Sequence, residues 1–172
     1  MEIKAPAEFA KAAIPAGWLA TEDTFAKSGA GPGDEMFALG FPRGLAANKA
    51  GFPILRAGRV ASYPLAPSAQ YPTFLLDFSV FPGNSGGPVF MADPTRRSSI
   101  EGSPDGEFIA GVLTQQVELK NDRLEIGIVT HAAYVREAIA LLDGAAGPHA
   151  NPAPAVVAVA ENAVDAASAA SD

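Results

Sequence analysis

Cysteine is absent from this sequence of 172 residues. The absence excludes a disulfide, a thiolate metal site and a cysteine nucleophile. It fits a reducing compartment without proving one, because exported bacterial proteins can also lack cysteine. Histidine is nearly absent as well, with only His131 and His149. No cluster of His, Asp and Glu has ligand spacing and no phosphate-binding glycine loop is present, so we predict no metal and no cofactor.

Basic residues are too few and too scattered to form a nucleic-acid surface. The chain has 12 Lys and Arg against 19 Asp and Glu, a net charge of −7, and only Arg96 and Arg97 are adjacent. No run of about 18 apolar residues is present, so we predict no transmembrane helix and no membrane partner. Met1 to Lys4 lack the basic and apolar regions of a signal peptide, and the compartment stays unknown. Hydrophobic residues make up 48% of the chain, which is enough for a packed core.

The spacing of apolar and turn residues predicts an antiparallel β domain. Proline and glycine recur through residues 1–33, which indicates an irregular segment with a short helical turn near residues 22–28. Six apolar, β-branched segments then follow at turn-separated intervals, which is typical of an antiparallel barrel or sandwich. The predicted strands are Glu35–Gly40, Leu55–Ser62, Thr73–Ser79, Pro88–Ala92, Glu107–Val117 and Arg123–Thr130.

A helical period follows the last strand. Apolar residues of Ala132–Asp143 fall on one face, with Thr130 as the predicted N-cap and Gly144 just past the end. Residues 145–172 are Ala-rich and indicate a disordered or weakly helical tail without chemistry of its own. The predicted domain organisation is therefore an irregular segment, a β domain, a helix and a tail, over residues 1–33, 34–131, 132–144 and 145–172.

One glycine-rich stretch carries the chemistry, the run Gly-Asn-Ser-Gly-Gly-Pro from Gly83 to Pro88. Backbone N–H groups of Gly83 and Ser85 that face one side would stabilise a developing oxyanion, as acyl transfer requires. Two other interpretations are a plain β-turn and the nucleophile elbow Gly-x-Ser-x-Gly. The elbow requires a helix directly after the serine, whereas the residues after Pro88 read as a strand.

This run resembles the nucleophile loop of trypsin-like serine peptidases, especially the bacterial HtrA-like branch. Asp34 to Pro42 resembles the strand that opens the family's second barrel, and Asp77 precedes Ser85 at the family's spacing. The resemblance covers roughly residues 1–143. It implies an all-β fold, a six-stranded antiparallel β-barrel with a C-terminal α-helix, which is the second barrel of a trypsin-like fold.

The resemblance also implies roles for individual residues. Ser85 would be the nucleophile, and the N–H groups of Gly83 and Ser85 would form the oxyanion hole. Asn84 replaces the Asp that captures a new N-terminal amine in digestive members, so activation by cleavage is not expected. Ser79 would form the floor of an uncharged specificity pocket. A peptide substrate would add as a strand along the edge formed by Thr114, Gln115 and Gln116, and small or medium neutral P1 residues are expected.

The resemblance leaves the triad incomplete, because in the family the general base His and its orienting Asp come from the first barrel. His131 would be a surface or helix-end histidine, and His149 would be inert. Asp77 is interpreted as structural and Asp34 as a turn cap. Met1 to Lys4 resembles the continuation of the strand that follows the catalytic Asp, so a missing N-terminal barrel is the expected partner.

Three hypotheses about function follow from these observations. The first is the C-terminal part of a serine endopeptidase that acts on peptides or proteins and is inactive alone. The alternative is a non-catalytic peptide-binding barrel, a pseudopeptidase. The third is an esterase of another fold, which a helix after Ser85 would support.

Overall fold

The computed structural model describes residues 13–92, 107–119 and 122–142. Two short helices flank six strands, α1 (Glu22–Ser28) before the first strand and α2 (Ala132–Leu142) after the last. The strands are β1 (Glu35–Gly40), β2 (Ile54–Val60), β3 (Thr73–Asp77), β4 (Pro88–Ala92), β5 (Glu107–Leu119) and β6 (Asp122–His131). The predictions for residues 1–12, for the tail and for His149 lie outside the described residues, and the proposed division into domains remains a prediction.

The six strands form a closed barrel in the order β1-β2-β3-β6-β5-β4, and every neighbouring pair is antiparallel. The predicted all-β fold with a C-terminal helix is therefore confirmed, as a barrel and not as a sandwich. β5 runs past the end of its neighbour: it pairs with β4 only as far as Val112, which lies opposite Pro88, and continues beside β6 to Leu119.

Side chains alternate between the interior and the outside along the strands, as a half-buried barrel requires. In β1, Met36 and Ala38 are buried while Glu35 is exposed. Phe25 of α1 closes one end of the interior, with its ring centroid 6.1 Å from Phe74 and 5.7 Å from Phe108 in edge-on contacts. The buried core also includes Val60, Leu76, Phe78, Val80, Val89, Met91, Ala110, Leu113 and Val129.

The predicted helical turn near residues 22–28 is a short, fully capped helix. The Thr21 hydroxyl accepts a hydrogen bond from the Thr24 N–H at 3.3 Å, and the Thr24 hydroxyl accepts one from the Thr21 N–H at 3.0 Å. This reciprocal capping box satisfies two N–H groups at the helix start. Gly29 ends the helix with φ 61°, a left-handed conformation that glycine adopts without steric cost.

The structure corrects the predicted start of the C-terminal helix. Thr130 is not its N-cap, because β6 continues through His131, and Thr130 pairs there with Thr73 of β3. The hydroxyl of Thr130 donates instead to Thr114 Oγ1 at 3.3 Å. Helix α2 docks on the barrel through Tyr134, whose hydroxyl donates to the Ser68 carbonyl at 3.0 Å.

Candidate functional site

Two consecutive turns that share Asn84 present Ser85 to solvent. In the first turn the Asn84 N–H donates to the Phe81 carbonyl at 3.0 Å, and in the second the Gly87 N–H donates to the Asn84 carbonyl at 3.1 Å. Gly83 and Gly86 occupy the third positions with φ 93° and 86°, as type II turns require. Ser85 occupies the second position of the second turn, where it is exposed.

Asn84 anchors this loop from inside the barrel. Its side chain is buried, with 1% of the residue exposed, and its Oδ1 accepts a hydrogen bond from the Phe81 N–H at 2.9 Å. A side-chain acceptor that satisfies a backbone donor across a turn holds the loop in one conformation. The neutral amide meets this requirement without burying a charge.

The loop is bound on one side to the segment that follows β1. The Phe41 N–H donates to the Gly83 carbonyl at 2.9 Å, and the Arg43 N–H donates to the Pro82 carbonyl at 2.6 Å. The approach is too close for side chains: a Cβ on Gly83 would lie 2.1 Å from the Phe41 oxygen, and one on Gly87 would lie 1.9 Å from the Leu39 oxygen. Glycine is therefore required at both positions.

β5 binds the loop on the other side and then presents a free edge. The Gly86 N–H donates to the Leu113 carbonyl at 2.8 Å, and the Leu113 N–H donates to the Gly87 carbonyl at 2.9 Å. Within the described part of the chain, no strand pairs with β5 beyond Leu113 on the side away from β6. This edge begins at the predicted substrate-binding residues: Thr114 and Gln115 are exposed, and Gln116 is half-buried.

Two backbone donors beside Ser85 have no partner. Among the described residues, the N–H groups of Gly83 and Ser85 make no hydrogen bond. The Pro82–Gly83 peptide is trans, so its C=O and N–H point in opposite directions. Because the Pro82 oxygen is held by Arg43, the Gly83 N–H is directed away from the β1 side. Unpaired donors separated by one residue can bind an anionic oxygen beside the exposed hydroxyl.

The position predicted as the pocket floor, Ser79, is half-buried just after β3. Next to it in sequence, the Phe78 ring fills the barrel interior against Gly127, where an added Cβ would lie 2.8 Å from Phe78 Cε1. The side chain of Thr114 turns to β6, where its hydroxyl donates to the Ile128 carbonyl at 3.1 Å, and Gln116 Nε2 donates to Glu118 Oε1.

His131 ends β6 directly before α2, as predicted, but it is buried, so the prediction of a surface histidine is wrong. Only 1% of it is exposed, and its ring lies 4.9 Å from Phe25 and 5.1 Å from Phe74 by centroids. Burial lowers the pKa of His131 to about 4, against weaker opposing effects of the Glu22 charge and a backbone hydrogen bond with Leu65. The Nε2 atom has no hydrogen-bond partner in the part of the chain that the structure describes. His131 is thus a neutral core residue and makes no hydrogen bond with Ser85.

The described residues also include the two predicted acidic residues and the segment after Ser85. Asp34 caps a turn as predicted, because its Oδ2 accepts a hydrogen bond from the Gly31 N–H at 2.8 Å. Asp77 is exposed at the end of β3. The chain after Ser85 enters β4 directly and forms no helix, which contradicts the esterase hypothesis.

Among the described residues, no helix is long and apolar enough to cross a membrane, and no three His, Asp or Glu residues are grouped so that they could hold a metal ion. The contribution of Arg43 to the site is not predictable from the sequence. Pro42 and Gly44 indicate a turn, but nothing in their pattern indicates that this turn binds the nucleophile loop.

Comparison with known proteins gives a structural likeness only. No family model and no curated protein sequence matches the chain. One similar solved structure is described as "HtrA-type protease AlgW with decapeptide", at 18% identity and a TM-score of 0.44, covering 74% of this chain. The match spans only 33% of that protein's chain, about a third of its length. A likeness this distant does not establish a family, so the function is inferred from the residues of the loop.

Proposed function

We propose that this barrel is the C-terminal part of a trypsin-like serine endopeptidase, with Ser85 as its nucleophile. One observation carries the proposal: the unpaired N–H groups of Gly83 and Ser85 lie beside an exposed serine hydroxyl, in a loop fixed on both sides. Donors that are already oriented lose no free energy to reorganisation when negative charge develops on a carbonyl oxygen. A plain turn would have no need of these free donors.

The free edge of β5 supports binding of an extended peptide. A peptide added as a strand beside Thr114, Gln115 and Gln116 would form main-chain hydrogen bonds with the edge. Leu113 connects this edge directly to the loop through Gly86 and Gly87. A peptide carbonyl that continues from the strand would therefore reach the two unpaired N–H groups.

In the proposed reaction the Ser85 oxygen attacks the peptide carbonyl while a base removes the hydroxyl proton. The carbonyl oxygen becomes an oxyanion held by the N–H groups of Gly83 and Ser85. The amine then leaves with that proton, and water hydrolyses the acyl ester on Ser85. No described residue supplies the base, since His131 is buried in the core. We place the base and its orienting carboxylate on a first barrel outside the described residues.

A non-catalytic peptide-binding barrel is the second candidate, and the absence of a base near Ser85 among the described residues favours it. The two candidates share the peptide-binding edge and differ in whether Ser85 ever reacts. Removing the nucleophile or base of a serine peptidase lowers kcat by about 10⁶. We therefore propose that the chain alone binds peptides and does not cleave them at a useful rate.

The test uses a matched pair of short peptides, one ending in a free carboxylate and the other in a carboxamide. The carboxylate mimics the product of cleavage and offers an anionic oxygen to the two donors. We expect it to bind several-fold more tightly, because hydrogen bonds to a charged acceptor are the stronger ones. In an amide NMR titration, we expect the largest shifts at Gly83, Ser85 and residues 114–116.

Backbone methylation of the peptide provides the control for strand addition. An N-methyl group at a position that donates to β5 should abolish binding, and the same group one residue along should be tolerated. Equal affinities for the carboxylate and carboxamide peptides, or shifts confined to residues distant from Ser85, would contradict the proposal.

A further inference from the structure

The segment that binds the nucleophile loop on the β1 side belongs to a stretch of the chain with basic residues and no acidic ones. Residues 36–76 contain Arg43, Lys49, Arg56 and Arg59 and no acidic residue, although the whole chain has a net charge of −7. All 19 Asp and Glu residues therefore lie outside this segment. Most of the segment is the β1–β2 hairpin, whose connecting loop, residues 41–53, follows directly on the strand end that binds the nucleophile loop.

Two arginines of this segment stack on one aromatic ring next to the site. The guanidinium carbon of Arg43 lies 5.4 Å from the centre of the Phe81 ring, and that of Arg56 lies 5.5 Å from it. Phe81 is two residues before Gly83. Among the described residues, neither guanidinium forms an ion pair or a side-chain hydrogen bond. Aromatic stacking holds both cations in place and leaves their N–H donors available to an anion.

The same hairpin exposes large apolar side chains. Four of them, between 40% and 61% exposed, occur within fifteen residues: Phe41, Leu45, Phe52 and Leu55. A concentration of exposed apolar side chains around cations is a feature of surfaces that bind a partner. Leu55 lies opposite Leu39 on the outer face of β2, whereas Arg56 lies opposite the buried Ala38. The surface formed by Phe41, Leu45 and Phe52 with Arg43 and Arg56 is called the hairpin surface below.

The hairpin surface and the β5 edge lie on opposite sides of Ser85. The nucleophile loop is bound by Leu113 of β5 on one side and by Phe41 and Arg43 on the other. All strand pairs of the barrel are antiparallel, and we expect a peptide on the β5 edge to pair in the same way. Such a peptide runs from Gln116 towards Thr114, so its N-terminal part lies on the edge and the chain then reaches Ser85. After passing Ser85, the C-terminal part of that peptide would reach the hairpin surface.

We propose that the hairpin surface binds the part of the peptide that lies C-terminal to the reacting bond, and that it selects acidic residues accompanied by an apolar one. This proposal rests on the proposed function and specifies its substrate class. The acidic side chains pair with Arg43 and Arg56, and the apolar side chain packs against the exposed hydrophobic residues. Exposed charge pairs add little individually, so we expect two acidic residues to improve binding about fivefold to tenfold at low salt.

The experiment compares three peptides that share one N-terminal half and differ only in the C-terminal half. That half carries Leu with two Glu, two Gln or two Lys residues. Binding is measured by fluorescence anisotropy with the Ser85→Ala variant, in which no cleavage can occur, at low and high salt. We expect the Glu peptide to bind most tightly and the Lys peptide most weakly, with the difference largely lost at high salt.

Substitutions locate the effect on the hairpin surface. Arg43→Gln and Arg56→Gln should each reduce the preference for Glu, and Arg56→Gln should leave the affinity for the isolated N-terminal half unchanged. Arg43→Gln preserves the backbone N–H that binds Pro82. Lys27→Gln, on the exposed surface of α1, removes the same charge elsewhere and should leave the preference intact.

The outcomes separate this inference from the proposed function. If the N-terminal half binds but the three full peptides bind equally, or if neither arginine variant changes the preference, the acidic selectivity is wrong and the peptide-binding edge stands. If the isolated N-terminal half does not bind at all, both proposals are wrong.

Discussion

The backbone N–H of Arg43 donates a 2.6 Å hydrogen bond to the carbonyl oxygen of Pro82. This bond fixes the plane of the Pro82–Gly83 peptide and, with it, the direction of the Gly83 N–H. Arg43 makes the bond from φ 55° and ψ 28°, a left-handed conformation that costs a non-glycine residue about 1–3 kcal/mol. A strained residue at this position is consistent with a requirement for a fixed Gly83 N–H.

Gly83→Ala should disrupt the loop. The new Cβ would lie 2.1 Å from the Phe41 oxygen, and the residue would have to keep φ 93°. We expect a loss of about 2–4 kcal/mol in the free energy of unfolding, measured by urea denaturation, together with loss of peptide binding. Gly31→Ala is the matched control, since no atom lies within 4 Å of its Cβ position. Equal stability of the two variants would show that the loop conformation is not the one described.

Asn84→Ala should destabilise the barrel by about 1–3 kcal/mol, because it leaves the partly buried Phe81 N–H without its acceptor. Thermal unfolding measures the change. The control is Asn48→Ala, in which an exposed amide that caps a turn is removed. An Asn84→Ala variant as stable as the Asn48→Ala variant would contradict the anchoring role of the buried amide.

Ser85→Ala should leave folding unchanged within about 0.5 kcal/mol, because the exposed hydroxyl makes no hydrogen bond with any described residue. We expect no casein cleavage by the purified chain with or without this substitution, because none of the described residues places a base at Ser85. Cleavage by the chain that disappears in Ser85→Ala would refute the proposed inactivity and confirm the nucleophile.

The buried His131 should make the barrel less stable in mild acid. Its pKa is about 4 in the fold against 6.5 ordinarily, so between these values the unfolded chain binds more protons. Stability is therefore complete above pH 6.5 and falls as the pH drops to 4, by roughly 3 kcal/mol for a shift of this size.

A series of urea unfolding curves between pH 7 and pH 4 measures this effect. His131→Phe keeps an aromatic ring beside Phe25 and Phe74, and His131→Gln serves if the larger ring does not fit. Both variants should lack the part of the pH dependence that His131 causes. Identical pH profiles for the wild-type chain and the variants would rule out this cause.

Local patterns were sufficient to predict most of the barrel. Alternating apolar residues and flanking turns predicted β1 and β4 with the bounds observed, and β2 to within two residues. The other strand ends differ by up to two residues, because strand pairing and not propensity decides where a ladder stops. β6 continues through His131, since its N–H donates to the Pro72 carbonyl at 3.2 Å.

Contacts between distant parts of the chain could not be predicted in the same way. The burial of His131 depends on Phe25, which is more than a hundred residues away. The hydrogen bond from Arg43 to the nucleophile loop requires Arg43 to adopt a left-handed backbone conformation. An arginine in the sequence does not indicate this conformation. The glycine-rich loop is predictable because its combination of residue types is unusual. The residues that bind it, such as Arg43 and Leu113, are of ordinary types in ordinary patterns, so their contacts with the loop are not predictable.

A crystal structure of the barrel with a peptide that ends in a free carboxylate tests the central claim most directly. We predict one carboxylate oxygen within about 2.7–3.1 Å of the backbone nitrogens of both Gly83 and Ser85. The peptide should pair in antiparallel fashion with Thr114 to Gln116. A carboxylate bound elsewhere, with the two N–H groups facing solvent and the β5 edge vacant, would contradict the account.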